Sequence, residues 1–145
     1  MTDVLIIGAG PAGLCSGYAL EQMAIPYLIV DRADHIGSTW ANLYPSLKLN
    51  TASFVSHMPD MRMPLAYGLF PSGRQYYAHL SAWAARHPLR IQLDTTIERL
   101  SPDAGGWRAE TAYGSTWHPA VILATGRFSN PLIPAVPGLV SYEGE

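Results

Sequence analysis

Cys15 is the only cysteine in the 145 residues. One thiol makes no internal pair, so a disulfide scaffold and a redox-active cysteine pair drawn from this chain alone are both excluded. Charge is scarce as well. Only 14% of residues are Asp, Glu, Lys or Arg, against about 25% in an average domain. With 48% apolar residues, disorder driven by charge repulsion is excluded. The net charge of −2 offers no basic footprint for nucleic acid. Long apolar runs are missing too. The first, Val4-Leu5-Ile6-Ile7, follows the acidic Asp3, whereas a secretory signal needs a basic start and ~7–15 apolar residues, and a spanning helix needs ~20. No membrane segment is expected, and a single thiol without a signal points to the reducing cytoplasm. His35, His57, His79, His87 and His118 share no ligand spacing with each other or with Cys15, so no metal site is expected.

The chain does contain 13 glycines and 12 prolines, raised numbers without a repeat. Its length suits one domain that can bury a proper core. Asp3 to Ile7 reads as a buried parallel strand. Pro11 to Met23 reads as a helix, with Pro11 at the first position, where its missing N–H costs nothing. Ala12, Cys15, Ala19 and Met23 recur at helical spacing and predict its packed face, with Gly13 and Gly17 beside it; small residues there let the helix approach a sheet closely. Pro26 to Val30 reads as a second strand, and the crossover between the two should be right-handed. Arg32 to Gly73 lacks a clean period and is too apolar for a linker, which predicts a functional excursion. Ser72 can cap a helix from Gly73 to about His87. In it, Tyr76, Tyr77, Leu80 and Trp83 form a stripe that reads as core. Leu89 to Leu93 is a strand candidate. Thr95 to Leu100, Trp107 to Tyr113 and Ser115 to His118 read as three short strands joined by turns. Ala120 to Ala124 is a further apolar run; Val121 to Ala124 is expected in a sheet that normally has further cover, which predicts self-association.

Gly8-Ala9-Gly10-Pro11-Ala12-Gly13 is G-x-G-x-x-G. The motif alone is weak. Here it follows a strand, opens a helix, and is followed by a second strand ending at Asp31, which lies 23 residues after Gly8. Each residue type has a task. Gly8 permits the tight turn, Gly10 lets the backbone touch a pyrophosphate, and Gly13 lets the helix pack on the strand. The helix start offers free N–H groups and the positive dipole end to an anion. Asp31 can accept hydrogen bonds from both ribose hydroxyls, and its charge would repel a 2′-phosphate.

With these residues in place, the chain resembles the first part of a flavin-dependent monooxygenase, of the group holding the flavin-containing, auxin-forming and Baeyer–Villiger enzymes. Gly8 to Leu14 resembles the FAD form of the phosphate loop. Asp31-Arg32 resembles the acidic-then-basic pair ending the second strand. Ile36-Gly37-Ser38-Thr39-Trp40 resembles the G-G-x-W segment, with Ser38 for the second glycine. Tyr44 to Thr51 resembles the segment near the flavin ring. Phe70 to Arg74 and the helix after it resemble the lead into the antiparallel insertion. Leu123-Ala124-Thr125-Gly126, with Pro131, Pro134 and Pro137-Gly138, resembles the segment that leaves the FAD domain for the NADPH domain.

The resemblance implies an α/β fold: a Rossmann-like FAD-binding lobe with a parallel sheet and a small three-stranded antiparallel insertion at about 95–118. Residues 1–145 would be a single, incomplete FAD-binding domain. It implies FAD as cofactor, with NADPH in the complete enzyme, held here by Gly8, Gly10, Pro11, Ala12, Gly13, Asp31, Arg32, Gly37, Thr39, Trp40, Asn50, Thr51, Ile97, Thr125 and Gly126. Trp40 can cover the flavin ring or anchor the core. Asn50 and Thr51 can bond the flavin's polar edge or, as loop residues, their own backbone. Arg32 can stack on adenine or pair with phosphate. Ile97 can meet adenine through its backbone or sit in strand core. Cys15 reads as packing. No side chain stands out as an acid or base, so no catalytic residue is assigned.

A second G-x-G-x-x-G is absent, and Tyr142-Glu143-Gly144-Glu145 ends before the family's histidine signature is complete. The expected function is therefore the FAD-binding portion of an NAD(P)H-dependent monooxygenase, inactive alone. The alternatives are an FAD- or adenine-nucleotide-binding module that needs a separate partner chain, and a nonbinding remnant. The expected partners are the missing carboxy-terminal half, a partner chain, or further copies of the chain itself.

Overall fold

The computed structural model describes residues 2–127 and 132–144; Pro131 of the proline-rich tail lies outside them. The chain opens with β1 (Val4–Ile7), α1 (Pro11–Gln22) and β2 (Tyr27–Val30). β1 and β2 pair in parallel, Val4 beside Tyr27 and Ile7 beside Val30. The excursion follows. It holds the single-turn helix α2 (Ser38–Ala41) and two short 3-10 turns, Ser53–Val55 and Leu65–Tyr67. Next come α3 (Gly73–Ala84) and β3 (Ile91–Gln92), which pairs with β2. The strands β4 (Arg99–Asp103), β5 (Gly106–Thr111) and β6 (Gly114–His118) form a separate antiparallel sheet. β7 (Ala120–Leu123) returns to pair in parallel with β1, giving the order β3-β2-β1-β7. The expected class, a Rossmann-like α/β lobe with a three-stranded antiparallel insertion, is what the chain adopts.

Buried β-branched and leucine side chains make the parallel strands. Leu5, Ile6, Ile29 and Val30 are all sealed from solvent, as expected for a sheet covered on both faces. α1 packs on one face through Gly13, Leu14 and Gly17. This corrects the face predicted from spacing: Ala12 and Ala19 are exposed, and Met23 is 64% exposed. The reason is backbone proximity. A Cβ at Gly17 would meet Ile29 Cδ1 at 2.7 Å and Tyr27 Cε2 at 2.9 Å, so the glycines form the contact and the alanines are turned out. Cys15, half-buried, packs at the margin of the same cluster. Burial pushes its thiol pKa up, which suits packing rather than a reactive thiolate.

α3 is held by a complete capping box. The Ser72 side chain accepts from the amide of Gln75 at 3.2 Å, and the Gln75 side chain accepts from the amide of Ser72 at 2.8 Å. Its stripe of Tyr76, His79, Leu80 and Trp83 is buried, as the sequence predicts for three of these four; Tyr77 is only half-buried. The predicted strand from Thr95 begins instead at Arg99. Residues 94–97 form a strap from the parallel sheet to the insertion, with the amide of Asp94 donating to Ala33 O at 3.0 Å and that of Thr95 to Asp31 O at 2.8 Å. β7 is the edge strand of the parallel sheet, and its Leu123 is 68% exposed. No helix among the described residues is long and apolar enough to cross a membrane.

His79 makes this packing sensitive to acid. It is 2% exposed and its Nε2 accepts the Met58 amide at 3.4 Å. Burial lowers its pKa, only partly offset by the Met61 carbonyl, and nearby His57 and Arg86 lower it further. The unfolded chain therefore takes up this proton at a higher pH than the folded one, so stability falls as pH drops below about 6.5 and through the lower folded pKa. Urea midpoints measured between pH 7.5 and 5 should show that fall, and His79→Gln should flatten it. A variant with the parent's full pH profile would mean that other groups carry it.

Candidate functional site

β1 is flanked by β2 on one side and β7 on the other, so the chain leaves the sheet in opposite directions beyond the carboxyl ends of these strands, the position where open α/β sheets take ligands. A cleft of about 710 Å³ occupies it, within the range of small-molecule and cofactor sites. Its floor is the turn between β1 and α1. Gly8 has φ +116°, in the region that favours glycine, because the chain must reverse there. A Cβ at Gly8 would also fall on the carbonyl of Ala124, and one at Gly13 on the carbonyl of Gly8 itself. Gly10 differs. Its φ is −82° and its ψ −175°, which any residue adopts, and a Cβ there would meet no described atom within 4 Å. It would project into open space, and Gly10 lines the cleft.

α1 begins at this floor without a side-chain cap and with no acidic residue in its first turn. Its first N–H groups and positive dipole end are left for something else to satisfy. α3, by contrast, carries its own cap. Asp31 stands at the end of β2. Its Oδ2 accepts the Ala9 amide at 2.6 Å and its Oδ1 accepts the Ala33 amide at 2.9 Å. The carboxylate thus ties the glycine turn to the β2 end. Each oxygen keeps a further lone pair for a hydroxyl donor. The Gly37 amide donates to Ala9 O at 2.9 Å, fixing the start of α2 to the same turn.

Of the residues predicted for the site, Gly8, Gly10, Pro11, Ala12, Asp31, Arg32, Gly37, Thr39, Trp40, Ile97, Thr125 and Gly126 line the cleft together. Gly13 lies under it, as its packing task requires. Asn50 and Thr51 lie outside. Both are exposed, and the Thr51 hydroxyl is 2.7 Å from that of Ser56. Trp40 lines the cleft and packs on Tyr76, ring centroids 4.3 Å apart. Ile97 also packs on Leu5, Val30 and Ala109. Sequence reasoning missed Leu43 and Leu47, which extend the apolar wall from α2, and Thr95, Thr96 and Arg127. Leu43 stands in an aperiodic, proline-bearing stretch and carries no signal of its own, and Leu47 is not singled out within the Tyr44–Thr51 segment that resembles the one near the flavin ring.

A glycine turn under an uncapped helix, with an acid at the next strand end, defines a dinucleotide-binding α/β domain. The chain belongs to the pyridine nucleotide-disulphide oxidoreductase family, matched over residues 5–143. Among curated relatives it is 31% identical over 146 residues to the probable indole-3-pyruvate monooxygenase YUCCA4 of Arabidopsis thaliana, covering 97% of this chain and 35% of that protein. It is 34% identical over 134 residues to an uncharacterized CzcO-like oxidoreductase of Geobacillus kaustophilus (strain HTA426), covering 92% and 38%. Among solved structures, the flavin-containing monooxygenase of Stenotrophomonas maltophilia superposes with a TM-score of 0.84 at 29% identity, over 99% of this chain and 44% of that one. The bacillithiol disulfide reductase of Bacillus cereus, 24% identical with a TM-score of 0.80 over 94% of this chain and 43% of that one, shares the fold. The likeness to flavin-dependent monooxygenases read from the motifs thus holds in sequence and in fold. The chain spans little more than a third of the length of the curated relatives named here.

Proposed function

We propose that the cleft binds FAD and that the chain is the FAD-binding portion of an NAD(P)H-dependent monooxygenase. The observation that carries this reading is the uncapped start of α1 opening onto the cleft, with Asp31 fixed beside it. The N–H groups of the first turn would hold the pyrophosphate, which Gly10 lets approach. Asp31 would accept the hydroxyls of the adenosine ribose. The strap at Thr95–Ile97 and Arg32 would enclose the adenine. Trp40, Leu43 and Leu47 would cover the flavin ring and exclude water from one side, and Gly37, Thr39, Thr125 and Gly126 would close the walls around it. Asn50 and Thr51, outside the cleft, are left without a part in this arrangement.

A bound flavin supplies electron transfer and oxygen activation; the protein's share is binding, orientation and exclusion of water. No acid or base for that chemistry is assigned among the described residues. The NADPH site and the substrate belong to sequence beyond these residues or to a separate chain, in keeping with the greater length of the relatives. The single thiol suits a cytoplasmic setting.

The purified chain should carry, or take up, one FAD with a protein-bound flavin spectrum. FMN, which lacks the adenosine half, should bind far more weakly. Equal affinity for FMN and FAD, or none for either, would defeat the assignment. Asp31 adds a second expectation: ADP should compete with FAD at least about tenfold better than 2′,5′-ADP, because the carboxylate repels a 2′-phosphate. Competition measured by recovery of free-flavin fluorescence checks it. Equal competition would mean that Asp31 faces away from the ribose.

A further inference from the structure

The two ends of the cleft are built on different helices. The floor is the start of α1. The apolar wall is α2, a single turn with no buried residue of its own, which leans on α3. Trp40 packs on Tyr76, and the Gly37 backbone lies so close to α3 that a Cβ there would meet Leu80 Cδ2 at 2.8 Å. The spacing of the cleft therefore depends on how α3 sits against α1.

One turn of the excursion joins those two helices. Met58, 2% exposed, anchors it, and the Met61 amide donates to Met58 O at 3.2 Å. Between them Asp60 adopts φ +55°, a left-handed conformation that aspartate tolerates better than most side chains. Its carboxylate reaches both helices. Tyr18 of α1 donates its hydroxyl to Oδ2 at 3.2 Å, and Trp83 of α3 donates Nε1 to Oδ1 at 3.1 Å. Trp83 Nε1 also donates to Pro59 O at 2.7 Å. His87, just past α3, places Nε2 3.5 Å from Oδ1. The rings of Tyr18, Trp83 and His87 pack edge-on or tilted around this point, with centroids 4.6–5.5 Å apart. Burial first, and then the charge and hydrogen bond of Asp60, raise the Tyr18 pKa, so the phenol stays a donor.

We propose that Asp60 is a positioning residue for the cleft: by bonding Tyr18 and Trp83 together it sets the separation of α1 and α3, and through α3 it holds the Trp40 wall opposite the phosphate-binding turn. The inference rests on the nucleotide reading of the cleft for its purpose, but its geometry can be tested without any ligand.

The test is hydrogen exchange on the ligand-free 145-residue chain carrying Asp60→Ala, Asp60→Asn or Tyr18→Phe. A purely structural residue would speed exchange equally across the molecule. A positioning residue speeds it at the Gly37, Trp40 and Ala41 amides, which bond Ala9 O and Gly37 O, and spares β5 in the insertion. Asp60→Ala should give roughly tenfold faster exchange at those three amides relative to β5, the scale of a lost charge-assisted bond. Asp60→Asn should stay near the parent, because a carboxamide still accepts from Trp83 and can bond the Tyr18 oxygen. Tyr18→Phe, which keeps the packing, should fall between, and it decides the matter if Asp60→Ala fails to fold. FAD affinity should drop about tenfold in Asp60→Ala and little in Asp60→Asn. Faster exchange confined to residues 58–61, uniform faster exchange, or an Asn variant as impaired as Ala would overturn the proposal. A parent chain that binds no FAD would instead defeat the cleft's assignment, while the exchange data still decide the role of Asp60.

Discussion

Replacing Gly10 with valine should abolish FAD binding and leave the fold intact. The backbone at position 10 lies at φ −82° and ψ −175°, which valine adopts without strain. A Cβ there meets no described protein atom within 4 Å. Glycine at a helix N-cap is preferred over valine, but the difference is on the order of 1 kcal/mol or less and is partly offset by the smaller entropy of the unfolded chain. The added methyls would instead occupy the part of the cleft where the backbone must come up to a pyrophosphate. Losing even one or two charge-assisted N–H contacts costs roughly 10- to 1,000-fold in affinity. Thermal melting should shift by no more than a few degrees, while flavin retention on gel filtration disappears. Parent-like FAD affinity in this variant would mean that the anion does not sit over Gly10.

The contrast between what spacing revealed and what it hid follows from the range of the forces involved. The glycine turn and Asp31 were legible because their chemistry is local: two strands, one turn and a fixed chain separation. Ser72 was legible as a cap for the same reason, although its reciprocal partner Gln75 was not. The close approach of α1 through small residues was legible, but not that Gly13 and Gly17 rather than the alanines make the contact. Its alanines keep helical period, but contact is decided by how closely Gly13 and Gly17 let the backbone approach β1 and β2. The excursion was opaque because its order comes from distant partners. Asp60 is held by Tyr18 and Trp83, and Met58 by His79, contacts that span 21 to 42 residues of sequence. The cleft-lining Leu43 and Leu47 inherit their places from that docking. Residues 95–97 of the strap read as strand because the threonines and Ile97 suit one. The strap's backbone instead bonds Asp31 and Ala33 and carries the chain across the cleft to the insertion.

The second glycine of the same helix makes the opposite prediction. Gly13→Ala should cost the fold itself, about 3 kcal/mol, the upper part of the range for overpacking, because backbone rather than a mobile side chain stands in the way. The new Cβ would fall on the carbonyl oxygen of Gly8, with the Gly8 carbonyl carbon at 3.0 Å and the Ala124 Cβ at 3.4 Å. Relief requires α1 to move away from the β1 turn. Gly8 cannot follow freely, because its own φ of +116° and its contact with Ala124 fix it. The better helix propensity of alanine returns at most about 1 kcal/mol. Gly17→Ala is the internal comparison. Its Cβ would meet Ile29 Cδ1 and Tyr27 Cε2, side-chain atoms that can shift, so its loss should be smaller. Urea midpoints should therefore fall in the order Gly10→Val least, Gly17→Ala next, Gly13→Ala most, with flavin lost in the first without unfolding and in the last because of it. A Gly13→Ala chain as stable as the parent would show that α1 does not rest on the Gly8 carbonyl, and the floor of the cleft would have to be rebuilt from a different packing of the helix.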